Sequence, residues 1–370
     1  MEENKLSTVS TENVNDVEIK MEEELEKSVT DISNVKQMSP MKMVFRRFFR
    51  SKLSIVGLII VVGLFVFSFL GPYILMLLDK IDFLNVITVW GDTEPDTAGA
   101  TFINEHLITF IDVNGNEVKC YDVSTYVTEH NVYSGISKEH WLGTDEQGYD
   151  IFTRLMYGGR ISLLIAMIVV FMEMIIGIIL GGIAGYFGKW VDQVIMRIVD
   201  VFNCIPTLPI LLIASSVLDS WDISPDERIY YLMFIITFFG WAGTARMVRG
   251  QILYLREQEY MVASEVMGYP TLKKIFGQLI PNVLPQLIVS ATLGFGSVIL
   301  YESTLSYLGL GVQIPKAAWG TMISAANDIA VVENYPLLWM PAGICIVLAV
   351  LGFNFIGDGL RDAFDPKGKR

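Results

Sequence analysis

The sequence predicts an all-α polytopic membrane protein with six transmembrane helices and a small extracellular β-rich insert. Of the 370 residues, 52% are hydrophobic and only 18% are charged, whereas a soluble domain carries about a quarter charged residues. The hydrophobic residues also lie in runs close to the ~20 residues that a helix needs to cross the hydrocarbon core. Composition and run length together therefore exclude an ordinary soluble protein.

Six hydrophobic runs are candidate membrane spans. The third run contains Pro206 and Pro209, and proline in a spanning helix frees backbone carbonyls that neighbouring groups must satisfy. We therefore expect a kink in the third span. The six runs are Leu53–Leu78, Ile161–Phe187, Val199–Leu218, Ile229–Met247, Val283–Tyr307 and Leu337–Ile356.

The distribution of Lys and Arg predicts the orientation of the chain. Basic residues cluster before the first run, between residues 246 and 274, and at the C-terminus, and they are scarce in residues 79–150 and 309–336. Cytoplasmic loops of membrane proteins carry the excess of Lys and Arg. Both termini should therefore be cytoplasmic, and residues 79–160 should face outward.

Composition divides the chain into five regions. The N-terminal tail is acidic and polar, without the basic start and apolar core of a cleavable signal peptide, so we expect it to be disordered. In the outer segment, "HLITFIDVNGNEVKCYDVS" has two β-rich runs around Asn114-Gly115, which predicts a hairpin. The regions are the cytoplasmic tail (1–40), a basic juxtamembrane segment with the first span (41–78), the extracellular insert (79–158), a membrane core (159–357) and a cytoplasmic C-terminal tail (358–370).

Common motifs of enzymes and metal sites are missing from the sequence. It has no GxxxxGK[ST] loop for ATP, no HExxH and no GxSxG. The three histidines, His106, His130 and His140, have no ligand spacing that indicates a metal. We therefore expect no catalytic residue, no metal and no cofactor bound by this chain.

The stretch "EYMVASEVMGYPTLKKIFGQLIP", residues 259–281, predicts an amphipathic helical hairpin. Gly268 can end the first helix in the left-handed conformation, and Pro270 can open the second. Each short helix is marginal alone, so one face should pack on the span ends while a cytosolic partner could cover the rest. Apolar residues recur at helical spacing in both arms: Tyr260, Ala263, Val266 and Met267, then Leu272, Ile275, Phe276, Leu279 and Ile280.

Two features of the second span stand out. Glu173 lies in the middle of "VVFMEMIIG", where an ionisable group is expensive and usually faces the bundle interior or a wet cavity. A direct transport role and a protonated or hydrogen-bonded packing role both remain open. Gly177, Gly181 and Gly185 lie four residues apart on one face, which predicts close helix packing rather than ligand binding.

Four stretches resemble the permease subunits of ABC importers. The hairpin is similar to their cytoplasmic EAA loop, although Val262 replaces the usual Glu, and the roles of Glu259 and Glu265 stay open. Three more stretches resemble the C subunits of dipeptide and oligopeptide permeases, in the same order along the chain, with Trp141 and Tyr149 in place of the usual Pro and Arg. They are "HWLGTDEQGYDIFTRLMYGGRISL" from His140, "ESTLSYLGLGVQIPKAAWGTMI" from Glu302 and "NFIGDGLRDAFDPKGKR" from Asn354.

The resemblance implies a type I ABC importer permease fold for the core 159–357, in a bacterial plasma membrane, with no chemistry of its own. The implied partners are a homologous second permease, two ATP-binding cassette ATPase subunits that bind ATP and Mg, an extracellular peptide-binding lipoprotein, peptide and membrane lipid, and no nucleic acid. The implied residues for coupling to the ATPases are Glu259, Ala263, Ser264, Glu265, Gly268, Pro270 and Pro281. The candidate pathway or gate residues are Glu173, Glu302, Gly309 and Gly311.

Alternatives remain for the substrate and for several residues. Oligopeptide import is favoured, with dipeptide or nickel–chelate import behind it, because relatives of all three kinds share the motifs. A proton-driven secondary transporter would use Glu173 and Glu302 as a relay, but the other spans offer these acids no charged partner. Asp145 and Asp150 could simply cap turns at the membrane surface, and the Gly309–Gly311 turn could simply break a helix.

Overall fold

The computed structural model describes residues 40–80, 97–101, 107–111, 117–121, 127–130, 132–138, 140–221, 223–313 and 316–365. The predicted disordered tail up to residue 39, the Asn114-Gly115 turn and the last five residues of the chain lie outside this set. The chain divides into two units, Met1–Arg47 and Phe48–Arg370. All the packing described below belongs to the second unit.

Helices form most of the described chain. The first are α1 (Pro40–Phe48), α2 (Lys52–Phe65) and α3 (Gly71–Lys80), with a π-helical turn at Val66–Leu70 between α2 and α3. Then come α4 (Ile151–Phe187), α5 (Lys189–Cys204), α6 (Thr207–Ser220), α7 (Pro225–Arg256), α8 (Glu259–Val266), α9 (Thr271–Lys274), a second π-helical turn (Ile275–Leu279) and α10 (Ile280–Tyr307). The last are α11 (Trp319–Ile323), a 3₁₀ turn (Ser324–Asn327), α12 (Ile329–Asn334) and α13 (Pro336–Phe364).

Five helical stretches in the described residues are long and apolar enough to cross a membrane: Lys52–Leu75, Ile151–Phe187, Glu227–Arg256, Thr271–Tyr307 and Pro336–Phe364. The pair α5 and α6 passes the same test together, bent by 79° at its break. The prediction of an all-α multi-pass membrane protein is confirmed, with six spans when the bent pair counts as one.

The kink expected in the third predicted span, Val199–Leu218, is confirmed, although the helix before it begins earlier than predicted. The span consists of two helices, α5 and α6, that meet at Ile205 and Pro206. Proline has no N–H to continue the hydrogen-bond ladder, and it disfavours helical backbone at the residue before it. Ile205 is accordingly extended, with φ −76° and ψ 124°. The kink expected from Pro206 is therefore a full break.

The insert between the first two spans contains β structure, as predicted. Strand β2 (Leu107–Ile111) pairs antiparallel with β3 (Glu117–Tyr121), from Leu107 opposite Tyr121 to Ile111 opposite Glu117. These two strands lie on either side of Asn114-Gly115 in the sequence, the position of the predicted hairpin turn, which itself is outside the described residues. Strand β1 (Thr97–Thr101) pairs antiparallel with β4 (Val127–His130), so the described part of the insert holds two small two-stranded sheets.

Glycines allow the spans to pack closely. Gly177, Gly181 and Gly185 of α4 face α7, where a Cβ at Gly185 would lie only 2.9 Å from Ile252 Cβ. Between α2 and α13, a Cβ at Gly57 would lie 2.7 Å from the carbonyl oxygen of Gly352. Small residues at such crossings let helix backbones approach each other. The packing interpretation of the α4 glycines is therefore confirmed.

Candidate functional site

The helical hairpin is present, but its second arm is not a separate short helix. Helix α9 runs through the π-helical turn into α10, so that Thr271–Tyr307 is one apolar helical stretch. Pro281 therefore lies in the first turn of α10, inside this stretch rather than between two helices. Pro270 does not open α9. It precedes the helix as its extended N-cap residue, with ψ 147°.

Gly268 ends α8 as the sequence predicted. Its φ is +70°, the left-handed region that glycine enters at little cost. The Gly268 N–H donates to the Glu265 carbonyl at 3.0 Å, and the Tyr269 N–H donates to the Ser264 carbonyl at 3.1 Å. These two bonds form a Schellman motif. A Cβ at Gly268 would meet no described atom within 4 Å, so the tip of the hairpin is open on its outer side.

Only part of the apolar surface of the hairpin packs on the spans. Met261 and Ser264 are the buried residues of α8, and Met261 packs with Val248, Ile252 and Leu279. Val266 and Met267, two of the apolar residues found at helical spacing, are 84% and 62% exposed. Both faces of α8 carry apolar residues, so periodicity alone did not distinguish them. The exposed apolar residues of the tip, called here the tip surface, are Val262, Val266, Met267, Leu272 and Phe276.

Ser264 ties the two arms of the hairpin together. Its hydroxyl oxygen lies 2.8 Å from the Tyr260 carbonyl and 2.8 Å from Oε1 of Gln278. One hydroxyl proton can serve only one of them, so a turned Gln278 amide that donates to Ser264 would satisfy both contacts. The other predicted coupling residues of α8, Glu259, Ala263 and Glu265, are exposed. Ser264 is therefore a buried contact between the two arms, whereas Glu259, Ala263 and Glu265 lie at the surface.

Arginines of α7 fasten the neighbouring helix ends. The Nε–H of Arg249 donates to Oδ1 of Asp192 on α5 at 2.9 Å. Nη2 of Arg246 lies 2.6 Å from Oδ1 of Asp200 on the same helix. Arg256 donates to the Tyr186 carbonyl at 3.1 Å, at the C-terminus of α4, where a cation also interacts favourably with the helix dipole. The end of the bundle that carries the hairpin is therefore held by charged contacts.

Glu302 is at the centre of a buried polar cluster. It is 1% exposed, and its carboxylate accepts hydrogen bonds from Ser162 Oγ at 2.9 Å and from Ser306 Oγ at 2.8 Å. Ser162 Oγ in turn accepts the backbone N–H of Trp319 at 3.2 Å. The cluster joins α4, α10 and α11. Sequence reasoning named Glu302 but not Ser162, Ser306 and Trp319, although all three lie inside the motif stretches that begin at His140 and Glu302.

The turn after α10 repeats the chemistry of the hairpin tip. Gly309 has a φ of +77°, and the Leu310 N–H donates to the Leu305 carbonyl at 2.9 Å. Arg228, a buried residue missed by the sequence reasoning, donates to the carbonyls of Gly311 at 2.9 Å and Leu310 at 3.0 Å. A Cβ at Gly311 would lie 2.5 Å from Ser306 Cα. These contacts fit the helix-breaking alternative for both glycines, and their gate role stays a prediction.

Glu173 is half-buried on α4, and its carboxylate occupies the space that a Cβ of Gly240 on α7 would need. No hydrogen bond to this carboxylate occurs within the described residues. Ser162, the partner of Glu302, precedes Glu173 by eleven residues of the same helix, or about 16 Å along its axis. The two acids therefore do not form a direct relay, which removes the main support for a secondary transporter.

The polar loop before α4 shows that Asp145 and Asp150 cap turns. Asp150 Oδ1 accepts the Thr153 N–H at 2.7 Å as the N-cap of α4, and its Oδ2 lies 3.1 Å from His140 Nδ1. Asp145 Oδ1 accepts the Tyr149 N–H at 2.9 Å. Burial raises the pKa of the Asp145 carboxyl, against the opposing effect of the nearby Arg154. The turn-capping alternative for these two acids is confirmed.

Comparison with known proteins agrees with the sequence resemblance. The family described as "binding-protein-dependent transport system inner membrane component" matches residues 177–370, and the "N-terminal TM domain of oligopeptide transport permease C" matches residues 39–83. Among solved structures, one of the MetNI methionine ABC transporter in an inward-facing conformation aligns with a TM-score of 0.42 and 19% identity, over 57% of this chain and 96% of that chain.

Two curated relatives extend the match beyond the family core. The oligopeptide transport system permease protein OppC of Bacillus subtilis is 41% identical over 249 residues, which are 67% of this chain and 78% of the relative. The dipeptide transport system permease protein DppC of Alkalihalophilus pseudofirmus is 34% identical over 333 residues, which are 90% of this chain and 91% of the relative. The chain therefore belongs to the family of binding-protein-dependent transport system inner membrane components.

Proposed function

We propose that this chain is the transmembrane permease subunit of an ATP-driven oligopeptide importer. It forms half of the translocation pathway and couples the motion of ATPase subunits to alternating access. The observation that carries the proposal is the tip surface, an exposed apolar patch at the turn of a hairpin that is otherwise anchored to the spans. The family match and the names of the relatives support the transport class and the peptide substrate.

The hairpin is connected rigidly to two spans. Only Glu257 and Gln258 separate α7 from α8, and α9 is continuous with α10. A displacement of the tip is therefore passed to both spans without a flexible linker. In the proposed cycle, the tip surface lies in a groove of one ATPase subunit, and closure of the ATPases moves the hairpin. The bundle then turns as a rigid body between outward-open and inward-open states.

The remaining subunits follow from the same proposal. ATP and Mg bind to the two ATPase partners, so this chain is non-catalytic. A homologous permease forms the other half of the passage, and an extracellular lipoprotein delivers the peptide to the face that carries the insert. Both termini and the hairpin lie in the cytoplasm, in accordance with the excess of Lys and Arg there.

Peptide uptake by the complete transporter in proteoliposomes tests the substrate. We expect ATP-dependent uptake of labelled tetra- and pentapeptides, which compete with one another and which nickel chelates do not inhibit. Uptake of dipeptides alone, or of nickel chelates, would instead support one of the two alternatives from the sequence. Uptake that needs a proton gradient and no ATP would contradict the proposed class of transporter.

Cysteine labelling on intact cells tests the orientation. In a background without Cys120, Cys204 and Cys345, the exposed positions Glu146 and Lys273 are suitable sites. We expect a membrane-impermeant thiol reagent to label Glu146→Cys on intact cells and to label Lys273→Cys only after permeabilisation. The opposite pattern would place the hairpin outside the cell and contradict coupling to cytoplasmic ATPases.

A further inference from the structure

Two neighbouring cavities form one groove along α4 and α7, called here the α4–α7 groove. The first has a volume of about 470 Å³, and its lining includes Tyr157, Arg160 and Lys316. The second, of about 680 Å³, lies between α4, α5 and α7. Ile168, Tyr230 and Met233 line both cavities. Both volumes are within the range of about 300–1,000 Å³ that is typical of small-ligand sites.

The first cavity has a basic and aromatic mouth. The guanidinium of Arg160 lies 5.1 Å from the ring centre of Tyr157 and 5.7 Å from that of Tyr73, and its Nη2 donates to the Phe69 carbonyl at 3.3 Å. Its Nε is buried and has no hydrogen-bond partner in the described part of the chain. Tyrosine is enriched where a span meets the membrane surface. The mouth therefore presents cationic groups at the level of lipid headgroups.

The second cavity is almost wholly apolar. Its lining includes Met172, Ile176, Phe234 and Phe238, and the hydroxyl of Thr237 donates to the Met233 carbonyl of its own helix at 2.7 Å. A bound peptide would bring an N–H and a C=O for nearly every residue, and each would need a partner. An acyl chain needs none. The chemistry of the lining thus favours a lipid tail over a peptide.

The length of the groove also matches one membrane leaflet. Arg160 and Met172 are twelve residues apart on α4, which corresponds to about 18 Å along the helix. Half of the hydrocarbon core is about 15 Å thick. A headgroup held at Arg160 would therefore place the end of its acyl chain near Met172.

We propose that the α4–α7 groove binds one anionic phospholipid. Its phosphate lies at Arg160 and Lys316, and one acyl chain follows α4 as far as Met172. Arginine is well suited to phosphate because its planar group donates two parallel hydrogen bonds. The lining of this site includes no residue of the hairpin.

Photolabelling of the complete transporter tests the site. The complex is placed in nanodiscs of phosphatidylcholine with a small fraction of phosphatidylglycerol that carries a photoreactive acyl chain, without ATP or peptide, and the labelled residues are mapped by mass spectrometry. We expect labels on the parts of α4 and α7 that line the groove. Loss of the hydrogen bonds to phosphate in Arg160→Gln/Lys316→Gln should lower this labelling about tenfold.

Two variants control for the loss of charge and for the shape of the groove. Arg197→Gln removes a cation whose side chain is 85% exposed elsewhere on the chain, and it should leave the labelling unchanged. Leu164→Trp fills the groove at an exposed lining position and keeps both cations, and it should abolish the labelling. If the double variant fails to assemble, the single variant Lys316→Gln is tested in its place. It should reduce the photolabelling of the groove, whereas Arg197→Gln should not.

Three results would overturn the proposal. Photoreactive phosphatidylcholine that labels the groove as strongly as phosphatidylglycerol would show that no anionic headgroup is recognised. Cross-links from Leu164 or Met172 to the second permease, without lipid labels, would identify the groove as a subunit interface. Protection of the groove by added peptide would make it part of the passage. ATP-driven peptide uptake is measured separately, so each of these results would overturn the lipid site and leave the proposed function standing.

Discussion

Replacing Glu302 by alanine is expected to prevent the accumulation of folded permease, whereas Glu302→Gln is expected to be mild. The carboxylate accepts hydrogen bonds from Ser162 and Ser306 in a site that is closed to solvent. Its removal leaves two buried hydroxyls without their acceptor, at about 1–3 kcal/mol each, and adds the cost of a cavity. A loss of this size is a large fraction of the free energy of unfolding of a typical domain, about 5–15 kcal/mol.

The yield and thermal unfolding midpoint of the purified permease in detergent measure this effect. Glu302→Gln keeps the length of the side chain and one oxygen acceptor, so most of the stability should return. Glu333→Ala removes an exposed acid on α12 and should change the stability by no more than about 0.5 kcal/mol. A Glu302→Ala protein that is as stable as the parent but transports no peptide would make Glu302 a pathway residue and contradict its structural role.

The Glu302 cluster shows what the sequence could not predict. An acid inside a hydrophobic run is conspicuous, and sequence reasoning placed it at the passage or gate. Its partner Ser162 lies 140 positions away, and the contact of Ser162 with Trp319 spans 157 positions. Hydropathy and motif spacing are local properties of the chain. They indicate where helices form, but the residues that meet between helices depend on packing.

The broken third span shows a similar limit within local structure. Pro206 predicted a kink, and the break lies there. The sequence did not predict that the helix before it begins at Lys189, because the charged residues in "KWVDQVIMRIVD" lower the hydropathy of that segment. Asp192 and Asp200 of α5 are paired with Arg249 and Arg246 of α7. Ion pairs with another helix therefore hold a segment that a hydropathy profile assigns to a loop.

The helical hairpin was the most predictable part of the candidate site. Its two arms and the left-handed glycine follow from local rules: helical spacing of apolar residues and the end signal in "GYP". Which apolar residues face the spans could not be predicted, because it depends on contacts between elements. Met261 packs with Val248 and Ile252 of α7 and with Leu279, and Val266 and Met267 stay exposed.

Replacing Gly268 by valine is expected to abolish peptide uptake, while the permease still inserts and the ATPases keep their basal activity. At a φ of +70°, a residue with a Cβ carries strain of about 1–2 kcal/mol, which the anchored hairpin can bear. No described atom would lie within 4 Å of a Cβ there, so the valine projects outward. In the proposed complex, it projects into the groove of the ATPase. Backbone strain at residue 268 alone would weaken the coupling to the ATPase. A valine side chain that keeps the tip out of the ATPase groove would prevent the coupling.

Two further substitutions separate strain from obstruction. Gly268→Ala adds the strain with little bulk and should retain part of the uptake. Gly268→Asn adds bulk but little strain, since asparagine tolerates the left-handed region, and it should be nearly as defective as valine. Gly309, at the other end of α10, has a φ of +77° and open space around a Cβ. Gly309→Val therefore carries the same backbone strain away from the hairpin. Its loss of thermal stability measures how much of the effect at Gly268 is due to strain. Normal uptake by Gly268→Val in a verified complex would show that the hairpin is only a connector, because a groove that closes around the tip surface could not accept the added side chain.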